Sequence, residues 1–520
     1  MEKKHLIGMT LWRLPLAILG GLISSLAMPR ENFWPLIFVS LALVLISVRG
    51  LRFWSGSVIG FFGGFAFYAS QIEWMSLYLG PIPWLALSFL EGVIFGIGLG
   101  VIAILWSATS SMKQSAFRPI LIAAAIATVW TSREWISINL PYGGFPWSRL
   151  AQALSDSFLA NFVYFVGISG LSFVVAFLTV LAIGWFENKK VFVRENYLSF
   201  GAFMVLLLIP AITTVPANAE AGEITIAAVQ GNANAGLFSN SERGTFLRNH
   251  LEASQLLLTH PMREEIDVIV WPENASDVNP QTDELAALQI DSLTRAFDVP
   301  LIFGSITEAN GEIYNSSLYW APGQGQQDQY DKKRPVPFAE YVPDRDFWYQ
   351  LAPDLIGLVS RGYTFGTRDG IFELNGANLG ALICFEIAID AIGRELVSDG
   401  AQIILSQTNN ADFGRSDETF QQAALARLRA IETGRTIVNI STVGVSVIYS
   451  ADGSIVEELP IYTSGVMVQT LPLRTSITPA MFIGDFFDLT INLLALGLLS
   501  FAIRFRVKRN SYSHRKVLAS

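Results

Sequence analysis

The stretch Leu379-Gly-Ala-Leu-Ile-Cys384-Phe-Glu386 carries the single cysteine of a 520-residue chain, at the end of an apolar run that reads as a buried strand. A lone thiol has no internal disulfide partner, so Cys384 is either a small buried hydrophobe or a nucleophile. Upstream, Trp271-Pro-Glu273 closes another apolar strand, and Tyr330-Asp-Lys332-Lys333 lies between the two. Taken singly, each residue has a plain structural reading: a capped strand end for Glu273, a solvated charge run for Lys332 and Lys333, a packed thiol for Cys384. Taken together, a carboxylate, an ammonium and a thiol supply a base, an oxyanion partner and a nucleophile.

The segment from Glu223 alternates short β-rich runs with amphipathic helical stretches. Strands are expected at Ile224–Gln230, Asp267–Trp271, Pro300–Gly304, Ile313–Tyr319, Leu379–Cys384 and Gln402–Ser406. Helices are expected over Glu242–Leu258, Gln281–Phe297, Asp390–Val397 and Thr419–Thr433. That alternation indicates an α/β or layered α+β fold rather than a sandwich.

Both flanks of this segment are strongly apolar. The chain is 51% hydrophobic and only 15% charged, with a mean hydropathy of +0.42, too apolar for a wholly soluble protein. A net charge of −9 offers no basic face, which sets nucleic-acid binding aside. Eight apolar runs are candidate transmembrane helices: Leu14–Met28, Phe33–Val48, Phe53–Ile72, Trp84–Trp106, Ile120–Trp135, Phe158–Trp185, Tyr197–Pro216 and Phe486–Ile503. Basic residues gather at Lys3 and Lys4, Arg49 and Arg52, Lys113 and Arg118, Lys189 to Arg194, and after the last run, which is every second loop. By the positive-inside rule these loops and both chain ends are expected in the cytoplasm, and the alternation closes only if all eight runs span, the first included. The expected layout is a membrane domain over 1–216, an extracytoplasmic domain over 217–477, a last span over 478–505 and a basic cytoplasmic tail over 506–520.

Trp271-Pro-Glu273, the stretch Tyr330-Asp-Lys332-Lys-Arg-Pro-Val-Pro-Phe-Ala-Glu340-Tyr-Val-Pro, and Ile383-Cys384-Phe-Glu386 resemble, in order, the three signature blocks of the nitrilase (carbon-nitrogen hydrolase) superfamily. With the eight runs, the loop Gly144-Phe-Pro-Trp147 and the block Thr408-Asn-Asn-Ala-Asp-Phe-Gly414, the whole chain is similar to its bacterial apolipoprotein N-acyltransferase family. The resemblance implies a four-layered αββα domain inserted between transmembrane helices, a Glu273, Lys332 and Cys384 triad, and Glu340 as a further active-site acid. It implies no cofactor and no metal. Phe385 and Glu386 follow the cysteine as candidate supporting residues. Phe145 and Trp147 are a candidate wall of the lipid entrance, and Phe238 and Trp348 candidate lid or substrate contacts. Ala339, Pro335, Asp412 and Phe238 depart from the family pattern, outside the triad.

An unperturbed cysteine titrates near 8.5 and is mostly protonated at neutral pH, so it needs a lowered pKa or a neighbour to take its proton. Glu273 would be that acceptor. Lys332, helped by the Phe385 N–H, would hold the negative oxygen of a tetrahedral intermediate, with Glu340 orienting it. Neighbours on an extended chain face opposite ways, so only one of Lys332 and Lys333 reaches the thiol, and the family spacing to Glu340 selects Lys332. The resemblance implies that Cys384 takes an acyl chain from a phospholipid and passes it to the α-amino group of a diacylglyceryl-cysteine apolipoprotein at the inner membrane. A membrane-tethered amidase would instead release ammonia, and a membrane scaffold or transporter would not need the thiol. Glu91 and the Arg133-Glu134 pair, lying within apolar runs, are read evenly as functional or structural charges.

Overall fold

The computed structural model describes residues 12–109, 113–188, 197–234, 241–359 and 362–518. The chain forms two compact units, one of Met1–Ser76, Gly80–Thr214 and Ile483–Ser520, the other of Leu77–Leu79 and Val215–Phe482.

The first unit is helical: α1 (Arg13–Ala27), α2 (Leu36–Val48), α3 (Phe53–Gln71), α4 (Met75–Leu79, which ends in the second unit), α5 (Pro81–Thr109), α6 (Arg118–Asn139), α7 (Val163–Asn188) and α8 (Tyr197–Ile212). Three described helices are long and apolar enough to cross a bilayer, at Pro81–Thr109, Phe158–Phe186 and Pro479–Phe505, and α1, α2 and α8 are shorter apolar helices. Helices α3 and α5 approach closely because each turns a glycine stripe to the other. A Cβ on Gly60 would lie 2.6 Å from Leu99 Cβ, and one on Gly96 would lie 2.6 Å from the Ser57 carbonyl oxygen.

Glu91, Arg133 and Glu134 are all buried here, and each is held by neighbours. Ser137 Oγ donates to Glu91, and Arg133 donates to Tyr68 OH at 3.0 Å while lying over the Phe95 and Trp130 rings. Glu134 accepts from Trp130 Nε1 at 3.0 Å and from the Leu150 N–H at 3.1 Å. These contacts tie α3, α5, α6 and the turn after α6 together, the structural side of the even reading.

The second unit is an α/β domain with two six-stranded sheets. Its strands are β1 (Glu223–Gln230), β2 (Val268–Val270), β3 (Leu301–Ala309), β4 (Glu312–Ala321), β5 (Gly325–Asp331), β6 (Ile371–Leu374), β7 (Ala377–Ile383), β8 (Ile403–Thr408), β9 (Ile437–Ser441), β10 (Ser446–Tyr449), β11 (Ile455–Leu459) and β12 (Gly465–Pro472). One sheet runs in the order β12-β1-β2-β3-β4-β5, the other β11-β10-β9-β8-β7-β6. At the centre of each, β1-β2-β3 and β7-β8-β9 are parallel. Such strands are covered on both faces, which is why Leu379 to Ile383 are buried without alternation.

Its helices are α9 (Thr245–Ser254), α10 (Glu284–Phe297), α11 (Arg345–Leu351), α12 (Pro353–Leu358), α13 (Asp390–Ser398) and α14 (Glu418–Thr433), and the last helix of the chain is α15 (Pro479–Leu518). A core cluster including Ile226, Val270, Ala381 and Leu405 draws on both sheets. A second packs α9 and α10 against the first sheet, and a third packs α13 and α14 against the other. Helix α10 starts at Glu284 rather than Gln281 because the Asp283 carboxylate accepts the Ala286 N–H at 3.0 Å and caps it.

Two charge clusters hold the unit. Where the chain enters and leaves, Glu220 accepts from the Thr475 and Ser476 N–H groups at 2.8 and 2.7 Å and pairs with Arg474 at 2.9 Å. Its burial is slight, and these bonds hold its carboxyl down at about 2. Arg429, fully buried on α14, pairs with Asp390 of α13 at 2.8 Å and with Glu432.

Removing a buried cation leaves two carboxylates uncompensated. Arg429→Ala is therefore expected to cost about 3–5 kcal/mol in denaturant unfolding. Arg295→Ala, at an exposed pair with Asp291 on α10, is expected to cost under about 0.5 kcal/mol in the same measurement.

Candidate active site

Cys384 leaves the carboxyl end of β7 and opens a 3-10 turn, Cys384–Ala388, with its own φ at +53°. A left-handed conformation at a non-glycine residue costs of order 1–3 kcal/mol and persists only where the surroundings hold it. The buried Glu386 carboxylate does the holding. It accepts from the N–H groups of Ile383 at 2.9 Å, Lys333 at 2.8 Å and Arg334 at 3.1 Å, and from Tyr330 OH at 2.9 and 3.0 Å. One side chain thus ties the cysteine turn to the loop that carries the lysines. Burial pushes the Glu386 carboxyl up, while the Ile383 N–H and the nearby Lys332 charge pull it down.

Lys332 follows β5 and is anchored by its N–H on the Asn315 carbonyl oxygen at 2.8 Å. Its buried ammonium sits 3.4 Å from Glu273 Oε1 and 2.9 Å from the Glu340 carboxylate. Glu273 lies just past the end of β2, and Asn315 Nδ2 on β4 bridges the two acids, 2.7 Å from Glu273 and 3.0 Å from Glu340. Glu340 is fixed in turn by the Val336 N–H at 2.6 Å. Lys333 points the other way and pairs with Glu395 of α13 at 2.6 Å. Glu273, Lys332, Glu340, Cys384 and Glu386 are therefore brought together in one place.

The electrostatics follow from burial. Desolvation pushes the Cys384 thiol well above its usual range and the nearby Glu273 charge adds to this, against the opposing pull of Lys332. Desolvation also raises Glu273, again opposed by Lys332. Burial works against charge on Lys332, but Glu340 and Glu273 outweigh it and hold the ammonium well above its usual range. At rest the site thus pairs a neutral thiol with a firmly charged lysine.

The remaining candidates are each described within their own unit. Trp348 lies on α11 with its ring 5.3 Å from Phe338 in an edge contact, against the loop that carries Glu340, and its neighbours Phe347 and Tyr349 are exposed. Phe145 and Trp147 stack at 6.2 Å in the helical unit. Phe238 lies outside the described residues.

Several residues at the site were assigned no role from the sequence, although two of them, Tyr330 and Asn410, lie within quoted blocks: Asn315, Tyr330, and the set Asn410, Glu418 and Gln422. The last three form a chain, Asn410 Nδ2 donating to Glu418 at 2.8 Å and to Gln422 Oε1 at 2.6 Å, and Gln422 Nε2 donating to Cys384 Sγ at 3.6 Å. The available clue was Glu418 and Gln422 one turn apart on α14, on a face that must be buried against a sheet.

Residues 225–478 match the carbon-nitrogen hydrolase family, and residues 20–181 match the apolipoprotein N-acyltransferase N-terminal domain. Fold and site therefore define a cysteine-centred member of the carbon-nitrogen hydrolase superfamily. Along its length the chain is 29% identical to the apolipoprotein N-acyltransferase of Mycolicibacterium smegmatis, covering 94% of this chain and 84% of that protein. It is 25% identical to that of Photobacterium profundum, covering 98% of each. Among solved structures, an amidase of the nitrilase superfamily from Nesterenkonia AN1 is similar at 17% identity with a TM-score of 0.38, covering 52% of this chain and 96% of that one. The chain is thus similar to apolipoprotein N-acyltransferases over nearly its whole length.

Burial holds the Glu418 carboxyl up at about 8. The native state therefore keeps this proton where the unfolded chain has lost it, so the group's share of stability falls as pH rises from the ordinary carboxyl range towards 8. The slope is at most about 1.4 kcal/mol per pH unit. Unfolding free energies measured over this range should fall less steeply in Glu418→Gln than in the parent protein.

Proposed function

We propose that this acyltransferase moves a fatty acyl chain from a membrane phospholipid to the N-terminal α-amino group of the diacylglyceryl-cysteine of apolipoproteins, through a thioester on Cys384. The observation that carries the reading is the joining of the thiol site to an apolar helical region that matches the apolipoprotein N-acyltransferase N-terminal domain. A water-soluble amide needs no such frame, whereas both lipid substrates reside in the bilayer.

In the first half-reaction the Cys384 sulfur attacks an ester carbonyl carbon of the phospholipid while Glu273 takes the thiol proton. The carbonyl oxygen becomes negative and is held by the Lys332 ammonium and the Phe385 N–H. Collapse breaks the carbon–oxygen ester bond, Glu273 returns its proton to the departing alkoxide, and a lysophospholipid leaves. In the second half-reaction the free amine attacks the thioester, Glu273 takes a proton from it, and the sulfur leaves and is reprotonated. One site serves both substrates in turn. Glu340 and Asn315 keep Lys332 and Glu273 in register, and Glu386 keeps the Cys384 turn against them.

The domain reads as the four-layered αββα arrangement, supported by the three core clusters. The chain is proposed to span the inner membrane eight times, with the catalytic domain extracytoplasmic and both termini cytoplasmic, on the strength of the alternating basic loops. Trp348 on α11 and, from the helical unit, Phe145 and Trp147 are proposed to meet lipid.

Intact-mass measurement of the protein after incubation with phospholipid tests the intermediate. A gain of one acyl chain, labile to hydroxylamine and missing in Cys384→Ala, is expected; apolipoprotein N-acylation by Cys384→Ser, or ammonia release without lysophospholipid, would sink the reading. Lys332→Ala should lower acyl transfer by about 10²–10³-fold. Lys333→Ala, whose partner Glu395 is largely exposed, should stay within a few-fold in the same assay.

A further inference from the structure

The hydrogen-bond chain behind the sulfur has no part in the steps above, yet it is built as tightly as they are. Gln422 is fully buried on the second turn of α14, and its Nε2 faces Cys384 Sγ at 3.6 Å. Which end of the amide faces the sulfur is decided further back. Ser441 Oγ accepts the Gly444 N–H at 2.9 Å, so its own hydrogen is free for Asn410 Oδ1, 2.6 Å away. Thr408 Oγ1 donates to the same Oδ1 at 3.2 Å. With Oδ1 occupied, Asn410 Nδ2 spends its two hydrogens on Glu418 Oε2 and Gln422 Oε1. Gln422 Oε1 is then an acceptor, and the donor end is left for the sulfur.

Packing fixes the chain as well. A Cβ on Gly444 would collide with Asn410 Oδ1 and with Thr419 Oγ1, which itself accepts the Val445 N–H at 2.7 Å. Only a residue without a side chain lets the Ser441–Gly444 turn close over Asn410. A half-satisfied buried polar network would cost more than an apolar one, so this chain being made throughout calls for a reason.

We propose that Gln422 is a further catalytic residue, held in orientation by Asn410 and Glu418 as positioning residues, whose amide donates to the Cys384 sulfur and favours the negative charge that develops on it. The inference rests on the reading of Cys384 as the nucleophile. The thiol is neutral at rest, so attack needs the sulfur to become anionic as Glu273 takes the proton, and a fixed N–H aimed at sulfur acts at that moment without reorganisation. Glu418 sets a limit on the arrangement. The groups bearing on it are Glu273, the Cys384 thiol, Asn410, and Tyr462, which lies under the Arg415 guanidinium at 4.3 Å. Protonated, Glu418 adds no charge beside the sulfur; ionised, it opposes a thiolate.

Alkylation by iodoacetamide tests this on the full-length protein in detergent micelles, because the chain has one cysteine and the readout needs no lipid substrate. Gln422→Met keeps the volume and loses the donor, and is expected to slow alkylation at neutral pH by about tenfold with an unchanged thermal midpoint. Glu418→Gln removes an ionisable acid beside the sulfur, and is expected to shift the alkylation profile to lower pH, with the largest gain above about pH 8. Alkylation within twofold of the parent in folded Gln422→Met would overturn the proposal. If Gln422→Met does not fold, an unshifted profile in Glu418→Gln overturns it instead. A slowed Gln422→Met in a protein that shows no acyl transfer would uphold this inference while sinking the acyltransfer reading, so the two fail separately.

Discussion

The buried ammonium of Lys332, between Glu273 at 3.4 Å and Glu340 at 2.9 Å, is the interaction on which the site depends. Two carboxylates and a thiol share a region with almost no solvent, and without a cation the acids would repel and take up protons. One ammonium cannot balance two full negative charges. Burial raises the Glu273 carboxyl against the pull of Lys332, which makes it a stronger base than an ordinary carboxylate, while the ammonium stays charged between the two acids. A raised carboxyl suits a group that must accept a proton and give it back. Asn315, donating to both acids, sets the distance between them without adding charge.

A second constraint is mechanical. Glu273 and Cys384 follow the carboxyl ends of β2 and β7, parallel strands in different sheets, while Lys332 follows β5 at a sheet edge. Open parallel sheets place functional groups at strand carboxyl ends, but nothing in that rule aligns the ends of two sheets. Gln407 Nε2, on β8 of one sheet, donates to the Trp271 carbonyl oxygen beside β2 of the other at 2.7 Å, two residues from Glu273. Glu386 then joins the cysteine turn to the lysine loop. These contacts convert a shared apolar core, which is not directional, into a fixed mutual position.

How much of this was legible depends on periodicity and on charge. The strands before Glu273 and Cys384 announce themselves as apolar runs because they are central and parallel. Strand β5, Gly325-Gln-Gln-Asp-Gln-Tyr-Asp331, and strand β11, Ile455-Val-Glu-Glu-Leu459, are edge strands with polar faces, and their pattern is indistinguishable from that of loops. Family resemblance, not periodicity, singled out Glu340, whose loop has no regular structure to predict from. Gln422 is a neutral amide in an unremarkable polar stretch, Asn410 sits in the Thr408–Gly414 block with no role of its own there, and their meaning arises only when α14 meets the loop after β8. Charge could not have found them, since an amide's role is set by which of its two ends faces the neighbour.

The state of the thiol connects these observations. A cysteine activated by a low pKa stands as thiolate all the time, open to oxidation and to adventitious electrophiles. Cys384 is held the other way: burial and the neighbouring acids keep it protonated until a carbonyl carbon is in reach. Proton removal, oxygen stabilisation by Lys332 and donation by Gln422 then become useful together, because each favours a charge that exists only during attack. For a thiol proposed to lie on the outer side of a membrane, where oxidants are common and no second cysteine exists to pair with or to restore it, reactivity that appears only with substrate is the form of activation the chemistry permits.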